Sequence, residues 1–344
     1  MWLSELMIRE IAVDLGKSNT LIINEDEIVI DSPSIVARDL VKKKIIAVGR
    51  DAYLMQGKTH SNIKTIRPIK EGVIADFDAA EKMMGKFIGG IPALKLNFFP
   101  FSLRMLICMP LSISEIEIRA IREAGKKIGI KEVCLIYEPL AAAIGIGLDV
   151  MNPQGNMIVN IGSGTTEIAV ICLGEIICSK SIKIAGDVFT EDILGYLKTE
   201  HQIQIGLVSA EKLKIEAGSA IDELEKNPEE VTVSGKKLAN GIITNLKVGR
   251  REISKALDDS ICRIEEAIIF TLSMVPPEIA ADIYKRGLYL TGGGAFLRGL
   301  DRRIEMKTCL KVSIGEDPLR AAVKGANTVL KNKIKYSAMI SSLR

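Results

Sequence analysis

The chain of 344 residues is long enough for about two domains with separate cores. Its 47% hydrophobic and 26% charged residues are typical of a globular protein and exclude a disordered one. The near balance of 46 basic and 43 acidic residues gives no electrostatic case for nucleic acid as a partner. No apolar run approaches the ~18 residues of a membrane-spanning helix and no signal-type segment is present, so we expect a cytoplasmic protein.

The first seven residues carry an apolar stripe of helical spacing formed by Trp2, Leu3, Leu6 and Met7. Trp2 is the single tryptophan, a residue type that suits a membrane interface. One or two helical turns bind a membrane weakly, so firm binding would need the avidity of an assembly. The stripe predicts a membrane contact, and burial in a core is the alternative.

Two segments, 11–24 and 157–172, each predict a strand, a glycine turn and a second strand. They align without gaps, and the corresponding pairs are Asp14 with Asn160, Gly16 with Gly162, and Thr20 with Thr166. This internal repeat of a β-hairpin predicts two similar lobes.

Helical patterns separate and follow the hairpins. A capping box at Ser114 and Glu117 predicts a helix that ends near Gly129, and an Ala-rich helix is predicted from Glu138 to Gly147. Further helices are predicted at 210–217 and 248–275, with short strands and loops at 227–245. Strands that alternate with helices indicate an α/β fold with mixed sheets.

The six cysteines lack the paired short spacing of zinc sites and mostly lie in apolar runs, so we predict reduced thiols in the core. His60 and His201 are the only histidines, and neither lies near another ligand-type cluster. Zinc chemistry and histidine-based catalysis are therefore not expected.

Glycine turns of the form Asp-x-Gly-x-x-x-Thr can surround phosphate with backbone N–H groups, and the Asp can hold Mg²⁺ through water. A third glycine cluster, 292–294, follows the apolar strand 288–290 and would let a purine and its ribose lie against bare backbone. Each turn alone could be an ordinary tight connection. Together the three turns favour a nucleotide site.

These segments resemble the MreB family of bacterial actins, within the actin, Hsp70 and sugar-kinase superfamily, over nearly the whole chain. The stretches that carry the resemblance are 66–77, 138–145, 184–187 and 290–300. The resemblance implies an α/β, actin-like two-lobed fold built from two duplicated ribonuclease-H-like subdomains with smaller inserted subdomains. The implied lobes are 1–150, with an insert near 31–76, and 151–344, with an insert near 188–247, and a nucleotide cleft lies between them.

The resemblance also implies roles for the matching residues, with ATP or ADP and Mg²⁺ as ligands. The implied phosphate-binding residues are Asp14, Gly16, Lys17, Ser18, Asn19 and Thr20 in the first hairpin, and Gly162, Ser163, Gly164, Thr165, Gly186 and Asp187 in the second lobe. Asp14 would hold the metal through water. Glu138 would orient the attacking water, and Thr165 and Asn160 complete the catalytic set. Glu211, Lys214, Gly292, Gly293 and Gly294 would hold the adenosine, and a solvated helix face is the less favoured alternative for Glu211 and Lys214.

The family further implies a homopolymer of paired protofilaments on the inner face of the cell membrane. The implied membrane residues are Trp2, Leu3 and Leu6, with Phe98 and Phe99 in the loop 94–101, whose alternative is again burial in a core. Other actin paralogues or membrane proteins are conceivable further partners.

Several residues depart from the family pattern. Asn160 and Lys17 stand where the family usually has Asp and Thr, Tyr137 replaces an acidic residue, and Ser163 replaces a glycine. An amide adds no negative charge and accepts no proton, whereas phosphoryl transfer needs accurately placed metal and water. Lys17 could neutralise phosphate charge or displace the metal. Our hypothesis is that nucleotide binding persists while hydrolysis is slow.

Other functions stay open on the sequence alone. One is an MreB ATPase of ordinary rate that guides cell-wall synthesis; another role, by analogy with diverged copies in wall-less helical bacteria, is cell shape and swimming. A small-molecule kinase of the same superfamily is disfavoured, because no second Asp is placed as a general base and no long insertion builds a sugar pocket. A chaperone ATPase is disfavoured because no linker or peptide-binding β domain follows.

Overall fold

The computed structural model describes residues 8–70, 73–95, 102–222 and 230–342. The described residues form two compact units. The first unit lies within Met1–Pro153, Ile171–Ile176 and Leu319–Arg344, and the second within Gln154–Val170 and Ile177–Pro318. The predicted membrane residues lie outside the described residues; they are Trp2, Leu3, Leu6, Phe98 and Phe99.

Strands and helices alternate along the chain. The strands are β1 (Ile8–Leu15), β2 (Asn19–Asn24), β3 (Glu27–Pro33), β4 (Val36–Asp39), β5 (Lys44–Val48), β6 (Ile63–Ile66), β7 (Ile69–Lys70), β8 (Val73–Ile74), β9 (Ser102–Met109), β10 (Glu132–Tyr137), β11 (Asn156–Ile161), β12 (Thr166–Cys172), β13 (Glu175–Ile182), β14 (Ile203–Gln204), β15 (Val231–Lys237), β16 (Ile243–Val248), β17 (Leu288–Thr291), β18 (Val312–Ile314) and β19 (Ser341–Ser342). The α-helices are α1 (Arg50–Leu54), α2 (Phe77–Gly89), α3 (Glu115–Lys127), α4 (Glu138–Gly145), α5 (Gly186–Glu200), α6 (Leu207–Ala217), α7 (Arg250–Ser273), α8 (Pro277–Arg286), α9 (Leu300–Thr308) and α10 (Ala321–Lys331).

The first unit is built on a sheet of order β19–β10–β9–β1–β2–β3. Antiparallel pairing joins β1 to β2 and β2 to β3, whereas β1, β9 and β10 run parallel. The apolar residues of β1 and β9 are buried against α2 and α3, as in Ile11, Met83 and Met105. Since carboxyl ends of parallel strands share one edge of a sheet, the ends of β1, β9 and β10 meet there.

The second unit contains a sheet of order β13–β12–β11–β17–β18, in which β11, β17 and β18 run parallel. Its order of connections matches that of β3–β2–β1–β9–β10 in the first unit. The hairpin repeat found in the sequence is therefore confirmed, and it extends to the whole central sheet of each unit.

Smaller sheets accompany the two central ones. Strands β5–β4–β6 form one antiparallel sheet between β3 and α2 along the chain. Strands β14–β15–β16 form another, between α5 and α7. The pairing of β15 with β16 is a regular six-residue ladder, more ordered than the short strands and loops predicted for this stretch.

The predicted helix signals are confirmed. Ser114 caps α3, and its backbone N–H donates to Glu117 Oε2 at 2.7 Å, completing the capping box. Helix α4 has Pro139 in its first turn, and α7 occupies most of the predicted 248–275 stretch. Helix α6 begins at Leu207, three residues before its predicted start. Within the described ranges, no helix is both long and apolar enough to span a bilayer.

All six cysteines are free thiols. Cys108, Cys134 and Cys172 are buried, as predicted. Cys309 is exposed, so the prediction of a core thiol is wrong there. The reason is local: Cys309 has a left-handed backbone (φ 56°) just after α9, in a turn that faces solvent.

Candidate functional site

The first glycine turn joins β1 to β2 and is too tight for any residue but glycine at position 16. A Cβ there would lie 2.7 Å from Asn19 O. Two carbonyl oxygens of the turn accept hydrogen bonds from a residue outside it: Arg67 Nη1 donates to Lys17 O and Ser18 O, each at 3.1 Å. Sequence reasoning noted the stretch around Arg67 only as a family signature and gave Arg67 no role in the turn.

Three further contacts anchor this turn to β3 and to Ser34, which follows β3 directly. The backbone N–H of Ser34 donates to Ser18 O at 2.8 Å, and the buried Thr20 hydroxyl lies 2.8 Å from Ser34 Oγ. Asn19 Nδ2 donates to Asp31 Oδ1 at 3.3 Å. With its carbonyl groups engaged by the protein, the turn offers its N–H side to an anion.

Asp14, Cys108 and Glu138 gather where β1, β9 and β10 end. Asp14 lies directly across from Cys108 in the parallel ladder, and Glu138 begins α4 immediately after β10. Burial raises the pKa of Asp14 well above its usual value, and the negative charge of Glu138 raises it further. The pKa of the Cys108 thiol is raised by burial and by the same two carboxylates. The first unit thus brings together two carboxylates whose mutual repulsion a cation would relieve.

The second glycine turn joins β11 to β12 and rests on the start of α5. Gly162 N donates to Thr165 O at 3.0 Å. The carbonyls of Gly162 and Ser163 accept hydrogen bonds from the N–H groups of Gly186 (3.1 Å) and Asp187 (2.8 Å), the first residues of α5. As in the first turn, the carbonyl oxygens accept hydrogen bonds from the protein. The donors here are backbone N–H groups at the N-terminus of a helix, whereas in the first turn Arg67 is a donor.

Asn160 lies at the end of β11 and is buried, with 4% of its surface exposed. Its Oδ1 accepts a hydrogen bond from Thr291 Oγ1 at 3.1 Å, because Asn160 and Thr291 are direct partners in the β11–β17 ladder. Gly292 follows with φ 79°, and a Cβ there would lie 2.3 Å from Ile161 O and 2.8 Å from Asn160 Oδ1. The glycine cluster therefore packs directly against Asn160, and Gly293 and Gly294 continue as a 3₁₀ turn, Gly293–Phe296.

Glu211 and Lys214 lie one turn apart on α6 and form an ion pair, with Lys214 Nζ 2.7 Å from Glu211 Oε2. The pair is not a freely solvated helix face, because it contacts α5. Lys214 Nζ also donates to Gly186 O at 2.7 Å and to Thr190 Oγ1 at 3.0 Å. Sequence reasoning missed Thr190, which carries no motif and is buried in α5.

Each unit thus assembles its own share of the predicted residues. The first unit contains Asp14, Gly16, Lys17, Ser18, Asn19, Thr20 and Glu138. The second contains Asn160, Gly162, Ser163, Gly164, Thr165, Gly186, Asp187, Glu211, Lys214, Gly292, Gly293 and Gly294. Among described residues, no group of three or more acidic, histidine or cysteine side chains is arranged to hold a metal.

The chain matches a known protein family over most of its length. The family model described as "MreB/Mbl protein" matches residues 8–338. The chain belongs to the MreB/Mbl family. This MreB/Mbl chain is 41% identical over 331 residues to the cell shape-determining protein Mbl of Bacillus subtilis strain 168, covering 96% of the chain and 98% of Mbl. It is 43% identical over 329 residues to the cell shape-determining protein MreB of Escherichia coli strain K12, covering 94% and 93%.

Solved structures of bacterial actins have the same fold as this chain. The crystal structure of Spiroplasma citri MreB5 bound to ADP superimposes on this MreB/Mbl chain with a TM-score of 0.89 at 32% identity, covering 96% of this chain and 98% of MreB5. A MamK double helical filament matches with a TM-score of 0.77 at 17% identity, covering 94% and 99%, which shows a shared fold. The actin-like two-lobed α/β fold predicted from the sequence is confirmed, and the chain is a bacterial actin of the cell-shape family.

Proposed function

We propose that this chain binds ATP with Mg²⁺, polymerises with copies of itself into membrane-associated filaments that govern cell shape, and hydrolyses ATP slowly. Nucleotide binding is supported by two glycine turns whose carbonyl groups are engaged, and by MreB5 relatives crystallised with ADP and with AMPPNP. Polymerisation is supported by the fold shared with a protein that forms a double helical filament.

Slow hydrolysis rests on one observation, which is the buried Asn160. Its Oδ1 is bonded to Thr291 and its amide carries no charge. An aspartate at this position would keep the Thr291 hydrogen bond and add a negative charge for a metal-bound water. Loss of one placed polar group costs about 2–4 kcal/mol of transition-state stabilisation in other active sites, or about 30- to 1000-fold in rate.

The residues present fit a magnesium ion held mainly by nucleotide phosphates. Mg²⁺ favours one or two carboxylates and retains several waters, which agrees with the absence of a larger ligand cluster among the described residues. Bound Mg²⁺ would neutralise charge that develops on the phosphates. Asp14 would hold it through water, the two turns would bind phosphate oxygens by backbone N–H groups, and Glu138 would orient the attacking water.

The test is phosphate release from Mg·ATP at protein concentrations where sedimentation shows polymer. We expect slow release by the wild type and a rise of about tenfold or more in Asn160→Asp, since the variant regains a charged metal-water ligand. Asn240→Asp adds the same charge at an exposed turn of the second unit and should leave the rate unchanged. Wild-type release as fast as that of the E. coli relative measured alongside, with no gain in Asn160→Asp, would favour an ordinary-rate ATPase.

Membrane association is proposed through Trp2, Phe98 and Phe99. A variant with all three replaced by Ser should pellet less with liposomes than the wild type, because aromatic side chains supply interfacial apolar contact. Tyr284→Ser, at a side chain 73% exposed in the described part of the chain, is the control for removal of a surface aromatic. Undiminished pelleting of the triple variant would reject the assignment.

A further inference from the structure

Asp31 of β3 connects the first glycine turn to helix α10. Its Oδ1 accepts a hydrogen bond from Asn19 Nδ2 at 3.3 Å, and its Oδ2 accepts one from Arg320 Nη2 at 3.1 Å. Asn19 is the first residue of β2, and Arg320 directly precedes α10. One carboxylate therefore contacts the end of the turn with one oxygen and a cation with the other.

Asn19 closes the turn around Gly16. Its carbonyl oxygen would lie only 2.7 Å from a Cβ added at Gly16. Asn19 pairs with Pro33 in the β2–β3 ladder, so Asp31, two residues before Pro33, lies diagonal to Asn19 on the same face of the sheet. The hydrogen bond between the Asp31 and Asn19 side chains thus fixes a residue that shapes the turn.

The carboxylate of Asp31 also has an unfavourable electrostatic effect at this turn. A glycine turn that offers its backbone N–H groups attracts anions, whereas a carboxylate beside it repels them. At moderate salt, charges within about 10 Å of one another still interact. An arginine side chain keeps its positive charge in proteins, so Arg320 offsets the repulsion without displacing Asp31 from Asn19.

The ion pair of Asp31 and Arg320 is poorly suited to stabilise the fold. The Arg320 and Asp31 side chains are 38% and 33% exposed, and ion pairs with such access to solvent contribute little to stability. Helix α10 has a second connection to the same hairpin, where Asp26 accepts hydrogen bonds from Lys331 Nζ and from Asn327 Nδ2. Asp26 lies in the turn between β2 and β3, at the other end of β2 from the glycine turn.

We propose that Asp31 and Arg320 are positioning residues for the first glycine turn. Asp31 holds Asn19 in place, and Arg320 neutralises Asp31 so that the turn attracts the phosphates of a nucleotide. This inference rests on the proposed nucleotide-binding function, and it adds to the phosphate site two residues that contact the turn or its neighbour and not the ligand.

The test is equilibrium binding of Mg·ATP and Mg·ADP to the full chain. Arg320→Met leaves the charge of Asp31 beside the turn, so we expect ATP affinity to fall about threefold to tenfold. ADP affinity should fall less, because ADP carries one negative charge fewer. Both losses should shrink at about 1 M salt, where charges are screened within about 3 Å. Arg320→Lys keeps the charge and should keep the ATP affinity.

Two double variants separate the charge of Asp31 from its hydrogen bond. Asp31→Asn with Arg320→Met removes both charges and keeps an acceptor for Asn19, so ATP affinity should return close to that of the wild type. Asp31→Ala with Arg320→Met also removes both charges but takes the acceptor from Asn19. Its ATP affinity should therefore stay below that of the first double variant, and equal affinities of the two would overturn the role of Asp31 in holding Asn19.

Lys331→Met is the matched control, because it removes a cation from the same helix together with its ion pair to Asp26. It should change neither ATP nor ADP affinity. Urea unfolding of each variant measures whether it is folded, and Arg320→Gln replaces Arg320→Met if the latter is not.

Three results would overturn the proposal while nucleotide binding stands. The first is an unchanged ATP affinity in Arg320→Met, and the second is the same loss in Lys331→Met. The third is a loss in Arg320→Met that is equal for ATP and ADP, insensitive to salt and retained when Asp31→Asn is added, as expected of a merely structural ion pair. Binding of neither nucleotide by the wild type would reject the proposed nucleotide-binding function as well.

Discussion

At the scale of single residues, the thiols differ in solvent access and in their electrostatic surroundings. Burial raises the pKa of Cys134 to about 11, with Glu132 adding to the shift, and burial also raises the pKa of Cys108. Thiolate is the reactive form, so these thiols stay neutral and slow to react between pH 7 and 9. Cys309 is exposed, so a reagent in solution can reach it.

We therefore predict that iodoacetamide at pH 8 modifies Cys309 first and leaves Cys108, Cys134 and Cys172 protected. Peptide mapping by mass spectrometry over time measures the order. Cys309→Ser should remove the fast phase, and labelling in urea should reach all six thiols. Reaction of Cys134 at the rate of Cys309 would contradict the burial described here.

Some residues of the candidate site could be predicted from sequence patterns, and others could not. Asn160 was found in the sequence because it departs from the family pattern, in which this hairpin opens with Asp, and it aligns with Asp14 of the first hairpin. Thr190 and Arg67 carry no comparable signal for their contacts. Their roles depend on which helix or loop packs beside them, as when Arg67 reaches the carbonyls of Lys17 and Ser18 about fifty positions away.

At the scale of elements, α4 and α10 pack with their backbones almost in contact. A Cβ at Gly325 would lie 1.7 Å from Ala141 O, and one at Gly145 would lie 1.8 Å from Ala321 O. Helix α4 begins at Glu138, so this contact also sets where that carboxylate lies. Small residues at the crossing are a requirement of the fold.

Gly325→Ala should therefore destabilise the protein by about 3 kcal/mol, at the upper end of overpacking costs, as measured by urea unfolding. Gly195→Ala is the control, and its effect on the free energy of unfolding should have the opposite sign. Gly195 lies within α5, and its added Cβ would meet no atom within 4 Å. Alanine there should stabilise the protein by about 0.5–1 kcal/mol through helix propensity. Equal effects of the two substitutions would reject the close packing of α4 on α10.

Elements with strong local signals were predicted well. The capping box of α3 and both glycine hairpins depend on contacts within a few residues, which the sequence contains. The start of α6 at Leu207 and the regular β15–β16 ladder were not predicted. The ladder lies in a stretch where polar residues give weak periodicity, and there pairing with the neighbouring strand decides the structure.

At the scale of the whole molecule, the duplicated sheets give each unit a glycine turn after its first parallel strand, and the two turns differ in chemistry. The first carries Asp14 before it and the second carries Asn160. Both turns keep their carbonyl groups engaged, so the hydrogen-bonding of the turn is alike in the two copies while one charge is absent from the second. On our proposal, binding and hydrolysis can then separate, because binding would use backbone groups and hydrolysis would need the charge that Asn160 lacks.

If hydrolysis is slow, polymers assembled with ATP should persist after free ATP is removed. We predict that pelletable wild-type polymer outlasts Asn160→Asp polymer about tenfold, following their difference in hydrolysis rate. Sedimentation at intervals after enzymatic removal of ATP measures both lifetimes. With AMPPNP, which is not hydrolysed, the two proteins should form polymers of equal lifetime, so a difference there would indicate a changed subunit contact. Equal lifetimes in ATP, shorter than in AMPPNP, would mean that the wild type hydrolyses readily despite its uncharged Asn160.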